Sequence, residues 1–267
     1  MKQVKASVIS NDKITSSFYQ MWLEAPSIVS EAKPGQYVMI RCGSGTILPR
    51  PFSIHKVNES RLAILFTVVG SGTTWLSQRK VDDTISLFGP LGNGYTIYPE
   101  SRNLLLVGGG VGVSPLHFLA DEAVEKRKVV TFAMGAVSSM HLLPTIPSEK
   151  GLLSGGILPF GITIYKSTDD GSEGYPGLVT QLTLEKDLIK KADQVFACGP
   201  LPMYRSMAQM PALKNKPVQV SLEVRMGCGR GVCYGCTIKT KTGLKKVCED
   251  GPVFNLDEII WDELSPV

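Results

Sequence analysis

Cys228, Cys233, Cys236 and Cys248 crowd the last forty residues of this 267-residue chain, while Cys42 and Cys198 stand alone. The run Cys228-x4-Cys233-x2-Cys236, with Cys248 after eleven further residues, has the plant-type spacing of a [2Fe–2S] centre. Thiolates are soft, strongly donating ligands, and four of them complete two tetrahedral irons bridged by sulfide. Gly227, Gly229, Gly231 and Gly235 interleave with the cysteines, so the backbone can curl close to a cluster and donate N–H hydrogen bonds to its sulfurs. Structural zinc is the alternative: it also takes four cysteines, usually as two Cys-x2-4-Cys pairs, a pattern from which this three-plus-one spacing departs. Cys42 reads as a small buried hydrophobe on a strand.

Two glycine-rich turns offer a second chemistry. Gly108-Gly109-Gly110-Val111-Gly112-Val113-Ser114-Pro115 follows an apolar run and opens a helical pattern, the setting in which backbone N–H groups and a positive helix end hold a pyrophosphate. The register starting at Gly108 puts Val113 where Gly-x-Gly-x-x-Gly needs its last glycine, and Val129 to Ser148 holds no acidic ribose reader, so the standard dinucleotide fingerprint is not met. A tight packing turn is the competing reading. Gly70-Ser71-Gly72-Thr73 also follows a strand pattern, and Gly72 and Thr73 can offer N–H groups and a hydroxyl to a phosphate, although a hairpin turn reads the same way. Two such turns in two domains point to two nucleotides meeting at a domain junction.

The elements that must position these residues follow from hydrophobic rhythm. Val4–Ile9, Phe18–Glu24, Gln36–Arg41, Pro51–Val57, Arg61–Val68 and Thr84–Phe88 read as short strands with no long helix between them, which predicts an antiparallel β-barrel. From residue 100 the pattern becomes strand–turn–helix–strand: Leu104–Val107, a helix from Ser114 to Arg127, then Val129–Met134. Strands at Ile162–Lys166 and Gln194–Cys198, with helices over Leu178–Lys191 and Pro202–Met210, extend a parallel α/β layer. The expected domains are a barrel over 1–99, an α/β domain over 100–217 and a loop-rich cysteine domain over 218–267 that cannot build a core unless something holds it.

Composition excludes several classes. With 43% hydrophobic and 19% charged residues the chain is neither disordered nor fibrous, and a net charge of +4 without any basic run gives no nucleic-acid footprint. The start, Met1-Lys2-Gln3-Val4-Lys5, shows no secretory signal, and Leu104–Ala120 holds four glycines and a proline and is short for a membrane span. A reducing, cytoplasmic setting is expected, where a cysteine cluster points to metal or redox chemistry rather than disulfides.

Arg50-Pro51-Phe52-Ser53, Gly72-Thr73, the glycine loop ending in Ser114-Pro115, and Cys198-Gly199-Pro200 with Met203 resemble the ferredoxin–NADP reductase superfamily in order and spacing. Ser221–Gly229 and Cys233-Tyr234-Gly235-Cys236 are similar to the electron-transfer subunits of two-component, NAD-linked dihydroorotate dehydrogenases, with departures at Val224, where a second Glu is usual, around Tyr175-Pro176 and over Gly135–Leu143. The resemblance implies FAD in the barrel, held by Arg50, Pro51, Phe52, Ser53, Leu65, Phe66, Thr67, Gly72 and Thr73. It implies NAD(H) at Gly108, Gly110, Gly112 and Ser114, and a [2Fe–2S] cluster on Cys228, Cys233, Cys236 and Cys248. Ser53, near the hydride-accepting N5, and Cys198, near the nicotinamide, are the implied catalytic residues. Electrons would pass between NAD(H) and an FMN-containing catalytic subunit that oxidises dihydroorotate in pyrimidine synthesis, within a heterotetramer of two of each. Lysines flanking the cluster segment, such as Lys239 and Lys245, could help docking, or simply face solvent. Rival readings are the small subunit of a sulfide dehydrogenase or of an NADH-dependent ferredoxin:NADP oxidoreductase, and, from another class, a zinc-stabilised nucleotide-binding regulatory module. His55, His117 and His141 read as structural.

Overall fold

Short apolar runs broken by Gly, Pro and Asp make six strands of the first part of the chain: β1 (Lys2–Lys13), β2 (Phe18–Glu24), β3 (Tyr37–Ile40), β4 (Arg50–Asn58), β5 (Arg61–Thr67) and β6 (Thr84–Leu91). The computed structural model describes residues 1–43, 45, 47–144, 159 and 161–265. The strands close in the order β1-β2-β5-β4-β3-β6, the expected antiparallel barrel, which leaves no open edge. Met21 and Ile54 both pair with Ile64, and all three are fully buried, so neighbouring strands stack one layer of the barrel core. Two short helices, α1 (Pro26–Val29) and α2 (Ser71–Ser77), lie in the connections.

The α/β layer follows as β7 (Asn103–Gly109), α3 (Val113–Glu125), β8 (Val129–Ala136), β9 (Thr163–Thr168), β10 (Tyr175–Pro176), α4 (Val179–Glu185), α5 (Leu188–Lys191), β11 (Gln194–Cys198), α6 (Leu201–Ala208) and β12 (Val218–Ser221). Side chains of β7 alternate between two cores. Leu104 and Leu106 share one with Leu116 and Leu119 of α3, while Leu105 and Val107 share the other with Leu182 of α4 and Met207 of α6. Both faces of the sheet are therefore covered, which is why this strand reads as an unbroken apolar run. Helix α3 is buried on several sides because Phe118 belongs to the barrel core while Leu116 and Leu119 face the sheet. The stretch Leu104–Ala120 thus forms a strand and a helix of this layer, and no helix among the described residues is long and apolar enough to cross a membrane.

Two expectations need correction. The pattern over Leu178–Lys191 is not one helix: it breaks at Asp187, whose φ of 52° is left-handed, giving α4 and α5. The last segment is also less independent than its loop-rich sequence suggests. It contributes a hairpin, β13 (Thr237–Thr240) and β14 (Gly243–Lys246), a helical turn, α7 (Val247–Asp250), and β15 (Val253–Asn255). The large sheet runs β10-β9-β8-β7-β11-β12-β15, with β12 parallel to β11 and β15 antiparallel to β12. The expected boundary at 217/218 therefore falls between two hydrogen-bonded strands of one sheet. Ile238, Val247, Phe254 and Trp261 lie in the same core as Leu105 and Met207, so apolar burial, and not metal alone, holds this segment.

Candidate functional site

A cavity of about 640 Å³ opens where the barrel, the β7–α3 turn and the start of the cysteine segment meet. Arg50, Pro51, Phe52 and Ser53 of β4, Leu65, Phe66 and Thr67 of β5, Gly72 and Thr73 of α2, Gly112 and Ser114 at the start of α3, and Cys198 at the end of β11 all line it. Residues far apart in sequence thus converge because β4 and β5 supply one wall and the carboxyl ends of parallel strands supply the other, the usual ligand position in open α/β sheets.

The lining residues differ in what they can offer. The Thr73 hydroxyl is engaged within its turn, accepting from the N–H groups of Val69 (2.9 Å) and Gly70 (3.1 Å), so it shapes the turn rather than facing a phosphate. The backbone is better placed: the first intrahelical bond of α2 is Thr74 N–H to Gly70, which leaves the N–H groups of Gly72 and Thr73 without an intrahelical acceptor. Phe52 is only 8% exposed and packs edge-on against Phe66, contributing more to the barrel core than to the lining. Gly108 and Gly110 are not among the lining residues. Gly108 is a packing position, since a Cβ there would lie 2.7 Å from Val113, whereas Gly110 needs its glycine for a φ of +55°. Gly112 is the close-approach glycine: a Cβ would sit 2.2 Å from the Cys198 carbonyl oxygen. The Ser114 hydroxyl is buried in this wall without a protein partner, an orphaned polar group that a bound nucleotide would satisfy.

Cys198 is a thiol and not a thiolate here. Burial, reinforced by the Glu223 carboxylate, pushes it up to about 12. Glu223, whose own carboxyl is raised by desolvation, lines the same wall with Tyr37, Val111, Val224 and Arg225, all missed as site residues by sequence reasoning. The signal was available for two of them: Glu223 and Arg225 are charged residues directly before the cysteine run. Behind the pocket, His55 and His117 lie with ring centroids 4.8 Å apart, their Nδ1 atoms on the Ser114 and Val113 carbonyls at 3.0 and 2.9 Å. They brace α3 against β4, which agrees with the structural reading of both.

The cysteines form a second site beside the first. Cys228 neighbours Cys233, Cys236 neighbours Cys248, and Cys228 and Cys248 also lie close enough to interact. Two bridged irons need four thiolates, and the Cys228-x4-Cys233-x2-Cys236 run with Cys248 supplies four, so the donor set fits a [2Fe–2S] cluster. The Arg230 N–H donates to Cys228 Sγ at 3.3 Å and the Gly231 N–H to Cys248 Sγ at 3.2 Å, the kind of contact that stabilises sulfur charge in a cluster. Gly231 has a φ of +71°, and a Cβ there would meet the Glu249 carboxylate at 2.6 Å, so the loop requires glycine at this point. Burial raises Cys228, but N–H donors and Cys233 outweigh it and bring the thiol down to about 7; burial and its cysteine neighbours push Cys248 up to about 12. Cys248 thus resists losing its proton, and metal binding would relieve that resistance by taking its thiolate.

Comparison with known proteins agrees with this geometry. A family model described as the iron-sulfur cluster binding domain of dihydroorotate dehydrogenase B matches residues 223–260. The electron transfer subunit of dihydroorotate dehydrogenase B (NAD(+)) from Caldanaerobacter subterraneus subsp. tengcongensis is 36% identical over 97% of this chain and 99% of its own length. That from Desulforamulus reducens is 35% identical over 98% and 99%. Among solved structures, the NADH-dependent reduced ferredoxin-NADP oxidoreductase studied for flavin-based electron bifurcation covers 98% of this chain and 91% of that one, with a TM-score of 0.84 at 30% identity. A ferredoxin NADP+ reductase from Neisseria gonorrhoeae with bound FAD and NADP covers 80% and 92%, with a TM-score of 0.61 at 15% identity, a likeness of fold alone.

Proposed function

The chain belongs to the electron-transfer subunits of dihydroorotate dehydrogenase B, and from that premise we propose that its cavity binds FAD, the β7–α3 turn binds NAD(H) and the cysteine loop binds a [2Fe–2S] cluster. The observation that carries the proposal is the single cavity whose lining joins β4 and β5 of the barrel, Gly112 and Cys198 of the α/β layer, and Glu223 to Met226 at the entrance to the cysteine loop. When bound, the flavin supplies the exchange between hydride transfer and the one-electron steps that the cluster carries.

The protein's own residues bind, orient and insulate. Arg50, exposed at the mouth, offers a fixed guanidinium to the flavin diphosphate, with the Gly72 and Thr73 N–H groups beside it. Ser53 stands opposite Tyr37 in the β3–β4 ladder, so its hydroxyl is held on rigid backbone where N5 is expected. Gly112 lets the nicotinamide loop approach Cys198, whose thiol stays protonated and neutral beside the reacting ring. Four thiols take the cluster, and Arg230 and Gly231 donate to their sulfurs. The chain is an oxidoreductase subunit that works with a catalytic partner. That partner is proposed to carry FMN, and the pair to assemble as a heterotetramer of two of each. Dihydroorotate gives up two electrons and two protons to become orotate, NAD+ takes two electrons and one proton, and the second proton goes to solvent. A cytoplasmic setting accompanies this reading, because reducing conditions keep four ligand thiols free to bind iron.

The match of residues 223–260 to an iron-sulfur cluster binding domain favours this reading over the related NADH-dependent ferredoxin:NADP oxidoreductase subunit and over the zinc module. Reconstitution tests it. Added to an FMN-bearing catalytic subunit, the chain is expected to confer dihydroorotate-dependent NAD+ reduction that neither protein supports alone; purified protein that is colourless and holds one zinc contradicts it.

A further inference from the structure

We propose that Asn93, in the Gly92-Asn93-Gly94 turn of the barrel, is a positioning residue for the fourth cluster ligand: it clamps the Cys248 segment to the barrel and so sets how firmly the cluster is held. The proposal rests on the [2Fe–2S] reading of the cysteine loop. Four consecutive carbonyls accept hydrogen bonds from barrel residues. Cys248 O accepts from the Tyr37 hydroxyl at 3.2 Å, Glu249 O and Asp250 O from Asn93 Nδ2 at 3.4 and 3.0 Å, and Gly251 O from the Asn93 backbone N–H at 2.6 Å. Three of these carbonyls belong to α7, a helix of four residues, which leaves them without intrahelical donors. The barrel supplies the cap that the ligand segment lacks.

Close approach is built into the turn. A Cβ on Gly92 would lie 2.4 Å from Gly251 O, so glycine there lets the turn and the ligand segment meet, while Gly94, whose Cβ would lie 2.3 Å from Pro34 O, seats the turn against the barrel. From the other direction, the Gly231 N–H holds Cys248 Sγ at 3.2 Å. Cys248 is thus gripped at its main chain by the barrel and at its sulfur by the loop. Tyr37 also lines the cavity, so one side chain touches both the pocket and the ligand segment. An amide is required at position 93, because a carboxylate of the same shape would turn oxygens toward two carbonyl oxygens.

The test compares full-length wild-type and Asn93→Asp protein, each loaded with FAD and cluster, by the rate at which a chelator bleaches the cluster absorption, the electron paramagnetic resonance spectrum of the reduced cluster, and FAD content. Loss of an outer contact to a metal ligand predicts iron release about tenfold faster in the variant. An altered cluster spectrum is expected with it, at wild-type FAD content. If Asn93→Asp does not accumulate, Asn93→Ala is expected to release iron about fivefold faster, the effect of losing the two side-chain hydrogen bonds to Glu249 O and Asp250 O. A wild-type release rate with an unchanged spectrum overturns the proposal, as does FAD loss in step with iron, which would mark general loosening. Wild-type protein that carries one zinc and no iron removes the cluster reading itself, and the proposal with it.

Discussion

The pocket wall is made of paired strands, with Tyr37 opposite Ser53, Val38 opposite Phe52 and Ile40 opposite Arg50, whereas residues 222–236 form neither helix nor strand. The cysteine loop keeps its course through left-handed residues at Gly229, Gly231 and Tyr234 and through N–H groups aimed at sulfur. A ladder fixes the positions of its side chains whether or not a ligand is present. A loop that spends its hydrogen bonds on sulfur depends on what the sulfurs hold. The two regions should therefore respond differently to damage, and that difference is open to measurement.

The largest effect is expected from Cys236→Ser. Iron should fall from about two per chain to near none, while FAD content and flavin bleaching by NADH persist. Limited proteolysis should then cut within 222–236 and spare β12 and β15, which belong to the large sheet. Loss of FAD together with iron would break the comparison. Next comes Gly112→Val, which drives a branched side chain toward the Cys198 carbonyl. It should lower kcat/KM for NADH by at least about tenfold, equivalent to about 1.4 kcal/mol, with iron content unchanged; a wild-type value would mean that the nicotinamide does not approach this turn.

Acid should strike the pocket side. His117 is brought down to about 4 by burial, and His55 well below its ordinary value by burial and by repulsion from His117, with Lys56 adding to both. Both are neutral in the fold, so the unfolded chain binds more protons between pH 6.5 and about 4, and stability falls as pH drops through that window. His117 alone contributes on the order of 3 kcal/mol to that fall. Thermal unfolding of His117→Leu followed across the window should show a shallower pH slope than wild type; equal slopes would count against it. The smallest effect is expected from Tyr204→Phe. The Tyr204 hydroxyl accepts from the Gly199 N–H at 2.9 Å and donates to Ser221 O at 2.6 Å, tying the nicotinamide-side loop to the strand that leads into the cysteine loop. Its loss should cost about 1 kcal/mol and lower Tm by about 3 °C, touching both regions alike.

Legibility in the sequence follows the same divide. Strands of the barrel and of the parallel layer were readable because alternation and unbroken apolar runs are local signals, and Phe18–Glu24 and Gln194–Cys198 have the expected bounds. The cysteine run was readable because cluster chemistry constrains spacing along the chain, and it lies within the matched iron-sulfur cluster binding domain. What was not readable depends on long-range packing. Val218–Ser221 looks like the start of a loop-rich tail until its pairing with Val195–Ala197 is seen. Glu223 enters the pocket only because the tail folds back over the barrel, and Asn93 meets residues 249–251 across more than 150 positions. Thr73 shows the converse: its type suited a phosphate, but the hydroxyl closes its own turn.

The central claim is that reducing equivalents pass between the pocket, where NAD(H) exchanges hydride, and the cysteine loop, which carries them one at a time. Anaerobic titration of the purified chain with NADH, following flavin bleaching by absorbance and the cluster by electron paramagnetic resonance, tests it most directly. The account predicts about one FAD and two irons per chain, with the signal of a reduced [2Fe–2S] cluster growing as the flavin bleaches in wild type and absent in Cys236→Ser, whose flavin still bleaches. Flavin bleaching in wild type with no cluster signal at any stage would contradict it.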